Sequence, residues 1–231
     1  MTPQNVLDLS KARFNMIEQQ IRPWEVLDQD VLALLDRLPR DTFVQPAHKA
    51  LAYADLELPL SAPAVEGECM LAPKVEARML QDLAIKPTDR VLEVGTGSGY
   101  MAALLASRAA RLVSLEINEA LAVQARENLQ RAGILNAEVR VADAAADGFA
   151  ACAADGSWDV IVLSGSVAEV PDALVSLLAP GGRIGAITGV EPVMRATFIT
   201  REGEASFRTT QPWDINAPRL RNFPEAPRFH F

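Results

Sequence analysis

Three glycines alternate in Val91-Leu92-Glu93-Val94-Gly95-Thr96-Gly97-Ser98-Gly99-Tyr100, after a strand-like apolar run and before a helix-like one. At such a junction, residues without a Cβ let a ligand approach the backbone, and the free N–H groups of the helix can receive an anion. A plain strand–helix turn is the alternative, and a lone Gly-x-Gly would not exceed it. The dinucleotide fingerprint is G-x-G-x-x-G; here the third glycine comes one position early. Glu93 stands two residues before the loop. A carboxylate there opposes a pyrophosphate but suits the ammonium group of a bound amino acid. S-adenosylmethionine (SAM) has an ammonium, a carboxylate and no phosphate. The pattern therefore favours SAM over a nicotinamide dinucleotide.

Two further acids fit the same ligand. Glu116 closes the next strand-like run, about 20 residues after the loop, where a doubly wound fold places its ribose-binding acid. Its two oxygens can accept from both ribose hydroxyls. Asp143, followed by Ala144, closes the third run and faces the adenine in such a fold. The bland alternatives are an exposed strand-end acid for Glu116 and a turn-capping aspartate for Asp143.

Other reactive residues are sparse. His48 and His230 are the two histidines, and neither belongs to a strong motif. Cys69 and Cys152 are too few for a disulfide framework or a zinc site, so no metal is expected. Cys69 has no paired histidine, which makes it a poor nucleophile candidate. Lys74 could draw an anionic acceptor or be a solvated helix-start lysine.

These residues need a scaffold, and the chain from Arg90 onward supplies one. Strand-like RVLEV, RLVSLEI, AEVRVAD, WDVIVLSG and RIGAIT alternate with helix-like GYMAALLASRA, NEALAVQARENLQRAG and VPDALVSLLA. Repeated β-α-β units with short connections predict a parallel sheet with helices on both faces. RATFIT and ASFRTT read as an antiparallel hairpin added to it, and the tail from Pro212 reads as irregular. Before residue 81 the pattern differs. Helices are predicted over 5–22, over 28–38 with Asp28 as N-cap, and over 74–84, with loop or short strands over the proline-rich 40–73. The expected organisation is an N-terminal helical and loop extension over 1–80 packed on a SAM-binding core over 81–231.

Composition narrows the function classes. Hydrophobic residues make up 49% of the 231 and charged residues 23%, ordinary for a globular protein. A net charge of −8 without a dense Lys/Arg stripe argues against nucleic acid. No apolar run approaches the ~20 residues needed to cross a bilayer, and the N-terminus lacks an apolar signal core. No membrane is expected as a partner, and the cytoplasm is the expected compartment.

Glu93 to Tyr100, Glu116 and Asp143-Ala144 together resemble motif I, the acidic residue and motif II of class I SAM methyltransferases. The resemblance narrows with Met16-Ile17-Glu18-Gln19-Gln20-Ile21-Arg22, with Val31-x6-Leu38-Pro39-Arg40-x2-Phe43-Val44, with Ala52-Tyr53-Ala54-Asp55-x2-Leu58-Pro59-Leu60, and with Val170-Pro171-x2-Leu174-x3-Leu178-x-Pro180-Gly181-Gly182-Arg183. In these blocks the chain resembles protein-L-isoaspartate O-methyltransferases. The resemblance implies a Rossmann-like, doubly wound α/β fold with a seven-strand methyltransferase sheet, SAM as donor, and a carboxylate of isoaspartyl residues in damaged proteins as acceptor. Glu93, Gly95, Thr96, Gly97, Ser98, Gly99, Glu116, Asp143 and Ala144 would then bind the cofactor.

The chain departs from the family at motif II, with Asp143-Ala144 where the family commonly has Asp-Gly, and more consequentially at one loop. Where the family carries Gly-x-Thr-Ile-Ser-x-Pro, the sequence reads Gly67-Glu68-Cys69-Met70-Leu71-Ala72-Pro73. Cys69 takes the threonine position and Leu71 the serine position, so Cys69, Met70 and Leu71 are the candidate catalytic segment without the family's hydroxyls. The expected partner is a protein or peptide carboxylate, with an unidentified small acceptor as the alternative. Two further readings stand beside this one: a methyltransferase with a different acceptor, and a SAM-binding module with little catalysis.

Overall fold

The short apolar runs from Arg90 onward form strands because they are flanked by capped helices that cover both of their faces. The structure, a computed structural model, describes residues 8–225. His230 and the first residues of the helix expected over 5–22 lie outside them. Seven strands make one sheet in the order β5-β4-β3-β6-β7-β8-β9. They are β3 (Arg90–Val94), β4 (Arg111–Glu116), β5 (Ala137–Val141), β6 (Trp158–Val167), β7 (Leu178–Val190), β8 (Val193–Arg201) and β9 (Phe207–Asp214). β3 to β7 pair in parallel, while β8 and β9 join antiparallel. β3 pairs with β4 on one side and with β6 on the other. The chain thus reverses direction across the sheet at β3, and a doubly wound fold opens its crevice at that switch point.

Each sheet face has its own core. One face carries α3 (Pro73–Leu83), α4 (Tyr100–Ala106) and α5 (Glu119–Arg131), with α1 (Leu9–Met16) and α2 (Gln29–Arg37) joining the same apolar cluster. The other face is packed by α6 (Ala150–Ala153) and α7 (Asp172–Ser176) through Cys152 and Leu174, and by Phe149 and Phe223. Helix starts follow capping chemistry: Asp8, Asp28 and Asn118 each accept two backbone N–H bonds at their helix's first turn. Among the described residues no helix is long and apolar enough to cross a membrane.

Several boundaries differ from the sequence reading. The first helix passes into a π-helical stretch over Ile17–Ile21 and a 3-10 turn over Arg22–Trp24, so Pro23 sits inside the turn rather than beyond its end. α7 stops at Ser176, because Leu178 already pairs with Trp158 at the start of β7. Pro180-Gly181-Gly182 is then an irregularity within the strand, not a turn before it. The tail is not irregular from Pro212, since β9 continues to Asp214. Pro212 falls where the β8–β9 register shifts, on an edge strand, and there its missing N–H costs no ladder bond. The 40–73 segment contains two short strands, β1 (Leu58–Pro59) and β2 (Cys69–Met70), paired antiparallel.

Candidate cofactor cleft

The C-terminal ends of β3, β4 and β6 open into a cleft enclosing about 670 Å³ of empty space, open to solvent. Gly95, Gly97, Glu116, Asp143, Ala144 and Cys69 all line it. Six residues chosen from four separate stretches of sequence therefore converge on one wall system.

The loop after β3 is shaped by its glycines. Gly95, Gly97 and Gly99 have φ of +93°, +53° and +83°, a region that L side chains rarely adopt. Gly99 does not face the cleft. A Cβ there would sit 3.3 Å from Ala125, so this glycine serves the close packing of α4 on α5. Thr96 and Ser98 are buried beneath the loop and line a smaller inner cavity with Leu71 and Ser164.

Glu116 is buried at the cleft wall. Its Oε2 accepts from the Gly97 N–H at 2.8 Å and its Oε1 from the Asn118 N–H at 3.0 Å. Burial pushes its pKa up, and these backbone N–H bonds oppose the shift. Each oxygen retains a lone pair for a ligand hydroxyl. Asp143 Oδ1 accepts from the Ala146 N–H at 3.1 Å, and Oδ2 accepts from Asn222 Nδ2 at 2.5 Å. Asp143 is thus both a turn cap and a cleft residue.

Glu93 is placed differently from the expectation. It is fully buried behind the cleft, where Ser114 Oγ donates to it at 2.6 Å and Ser164 Oγ at 2.7 Å. Burial pushes its pKa up to about 8, against the pull of the two serines. Ser164 does line the cleft, so Glu93 acts on it through that hydroxyl. Ser114 and Ser164 carry no motif signal, and the sequence reading missed both.

The departing loop closes the site from the N-terminal side. Cys69 lines the cleft, and its Sγ lies 3.6 Å from Glu57 Oε2. Burial, with Glu57 adding to it, pushes the thiol up to about 12, so it stays neutral and unreactive. Met70 and Leu71 are buried in the first core. The Leu71 carbonyl accepts from Arg40 Nη2 at 2.6 Å. The fully buried Arg40 also donates to Ala52 O at 3.1 Å and pairs with buried Glu76 at 3.4 Å. This one guanidinium ties the loop to α3, and it stacks 5.7 Å from the ring of Tyr100 at the start of α4. Lys74 does not reach for an acceptor; it pairs with Asp55 at 2.7 Å and lies over Trp24.

Comparison with known proteins points to one family. The family described as protein-L-isoaspartate(D-aspartate) O-methyltransferase matches residues 11–212. A protein-L-isoaspartate O-methyltransferase of Methanoculleus marisnigri is 41% identical over 194 residues, 84% of each chain. Protein-L-isoaspartate O-methyltransferase 2 of Marinobacter nauticus is 36% identical over 90% of this chain and 92% of its own. Among solved structures, a putative protein-L-isoaspartate O-methyltransferase of Plasmodium falciparum, in complex with S-adenosyl-L-homocysteine, shares the fold. Its TM-score is 0.76 at 22% identity, covering 91% of this chain and 98% of that one. The chain belongs to the protein-L-isoaspartate(D-aspartate) O-methyltransferase family.

Proposed function

We propose that the chain transfers a methyl group from SAM to the free carboxylate of isoaspartyl residues in proteins or peptides. The observation that carries this reading is the meeting of the glycine loop, Glu116 and Asp143-Ala144 with Cys69 in a single cleft, in a member of this family. The residues fit the cofactor. Glu116 would take the ribose hydroxyls, Asp143 the adenine amino group, and the bare backbone of Gly95 and Gly97 the methionyl segment. SAM supplies a methyl group on a positively charged sulfur.

The protein's own contribution is position and shelter. A carboxylate acceptor is ionised at neutral pH, so no general base is needed. In keeping with this, among the described residues those lining the cleft include neither histidine nor lysine. The inner cavity lined by Leu71 and Ser164 would shelter the reacting end from water.

A second reading, a different acceptor on the same scaffold, has one observation in its favour. Leu71 and Cys69 present an apolar side chain and a weakly donating thiol where the family resemblance calls for two hydroxyls. Transfer of labelled methyl from SAM to an isoaspartyl peptide, beside the matching aspartyl peptide, separates the two readings.

A further inference from the structure

Residues 217–223 lie past the end of the family match at residue 212. They nevertheless form part of the cleft. The segment is anchored on the end of β6, where the Ser166 N–H donates to Pro218 O at 2.7 Å and the Leu220 N–H donates to Ser166 O at 2.9 Å. Ser166 Oγ donates to Ala217 O at 2.7 Å. From this anchor Arg219, Leu220, Arg221 and Phe223 supply one wall of the cleft.

Three contacts hold the wall against the rest of the site. Leu220 lies on the glycine loop: a Cβ at Gly95 would come 2.9 Å from its Cδ2, and one at Gly165 2.8 Å. Arg221 Nη2 reaches Glu68 Oε1 at 2.9 Å, joining the segment to the loop that leads into β2. Asn222 Nδ2 donates to Asp143 Oδ2 at 2.5 Å, at the end where adenine is assigned. An amide N–H₂ and the exocyclic amine of adenine are the same kind of donor, so the two meet at one carboxylate. Arg221 and Asn222 are solvent-exposed, and contacts of such residues form and break at low cost. Phe223 is buried against Phe149 and keeps the far end in place.

We propose that the Leu220–Asn222 stretch, between the anchor on Ser166 and the buried Phe223, is a clasp that must open for the cofactor to enter or leave, with Asn222–Asp143 and Arg221–Glu68 as its catches. This rests on the assignment of the cleft to SAM. A wall that merely touches the ligand slows departure alone, whereas a clasp slows entry as well.

The test uses the full chain and S-adenosylhomocysteine as probe, with association and dissociation rates read by stopped-flow fluorescence. Two variants address the clasp independently. Arg221→Ala with Asn222→Ala removes both catches at exposed positions. Gly165→Ala leaves the catches in place and pushes Leu220 away from its seat. Both are expected to raise the on-rate and the off-rate together, by roughly two- to fivefold for each exposed catch lost in the double variant, with the Kd moving less than either rate. A rise in the off-rate alone, or no change in either rate, overturns the clasp while leaving the cofactor assignment intact. Absence of binding by the parent chain overturns the cofactor assignment itself, and the clasp with it.

Discussion

Glu116 Oε2 accepts the backbone N–H of Gly97 at 2.8 Å, so the acid at the end of β4 fixes the middle glycine of the loop after β3. Loop geometry therefore depends on the same carboxylate that is proposed to take the ribose hydroxyls. Glu116→Ala is expected to weaken S-adenosylhomocysteine binding by about 1.5–3 kcal/mol for each charged hydrogen bond lost, less what water restores. Isothermal titration of a variant with native circular dichroism measures this. Unchanged affinity would reduce Glu116 to a strand-end acid.

Glu93 controls a pH dependence. Its folded-state pKa, about 8, lies above the ordinary 4.5. Below the ordinary value both folded and unfolded chains hold the proton. Between the two values the unfolded chain releases it and the folded chain retains it, so stability falls as pH rises through this window and levels off above it. Glu76, pushed up to about 7 by burial, adds a contribution of the same sign. Urea unfolding at about pH 5 and about pH 8 is expected to show a clear loss in the parent and a smaller one in Glu93→Gln. Equal losses in the two proteins would contradict the buried, proton-retaining Glu93.

The loop offers a third prediction. Cys69→Thr with Leu71→Ser returns both hydroxyls. Leu71 is packed in the first core, so the change is expected to cost about 2–5 kcal/mol of stability, as large-to-small core substitutions do. Methylation of an isoaspartyl peptide is expected to rise, by up to roughly a hundred- to thousandfold if the restored contact acts on the transition state. Affinity for S-adenosylhomocysteine is expected to hold. A folded double variant with no gain in rate would show that the missing hydroxyls do not limit the reaction.

Much of this was legible in the sequence because it depends on local chemistry. The glycine loop announces its own turn, and strand ends place Glu116 and Asp143 automatically at the crevice of a doubly wound sheet. What was hidden depends on long-range approach. Ser164 meets Glu93 only because β6 pairs with β3, and no pattern around Ser164 marks it. That pairing also explains why Glu93, expected at the ligand, stands one hydroxyl behind it. Arg40 appears in the sequence as part of a family block, but its tie to the Leu71 carbonyl spans 31 positions. The tail was read as irregular from its prolines, correctly beyond Asp214, yet irregular backbone there still builds a cleft wall through Leu220 and Asn222.

Carboxylate methylation can be measured directly. The purified chain is incubated with methyl-labelled SAM and either an isoaspartyl peptide or the same peptide with ordinary aspartate. Base-labile label, the signature of a methyl ester, is expected in the isoaspartyl peptide and not in its control. Label in neither peptide, from a chain that binds S-adenosylhomocysteine, would contradict carboxylate methylation and leave the different-acceptor reading in its place.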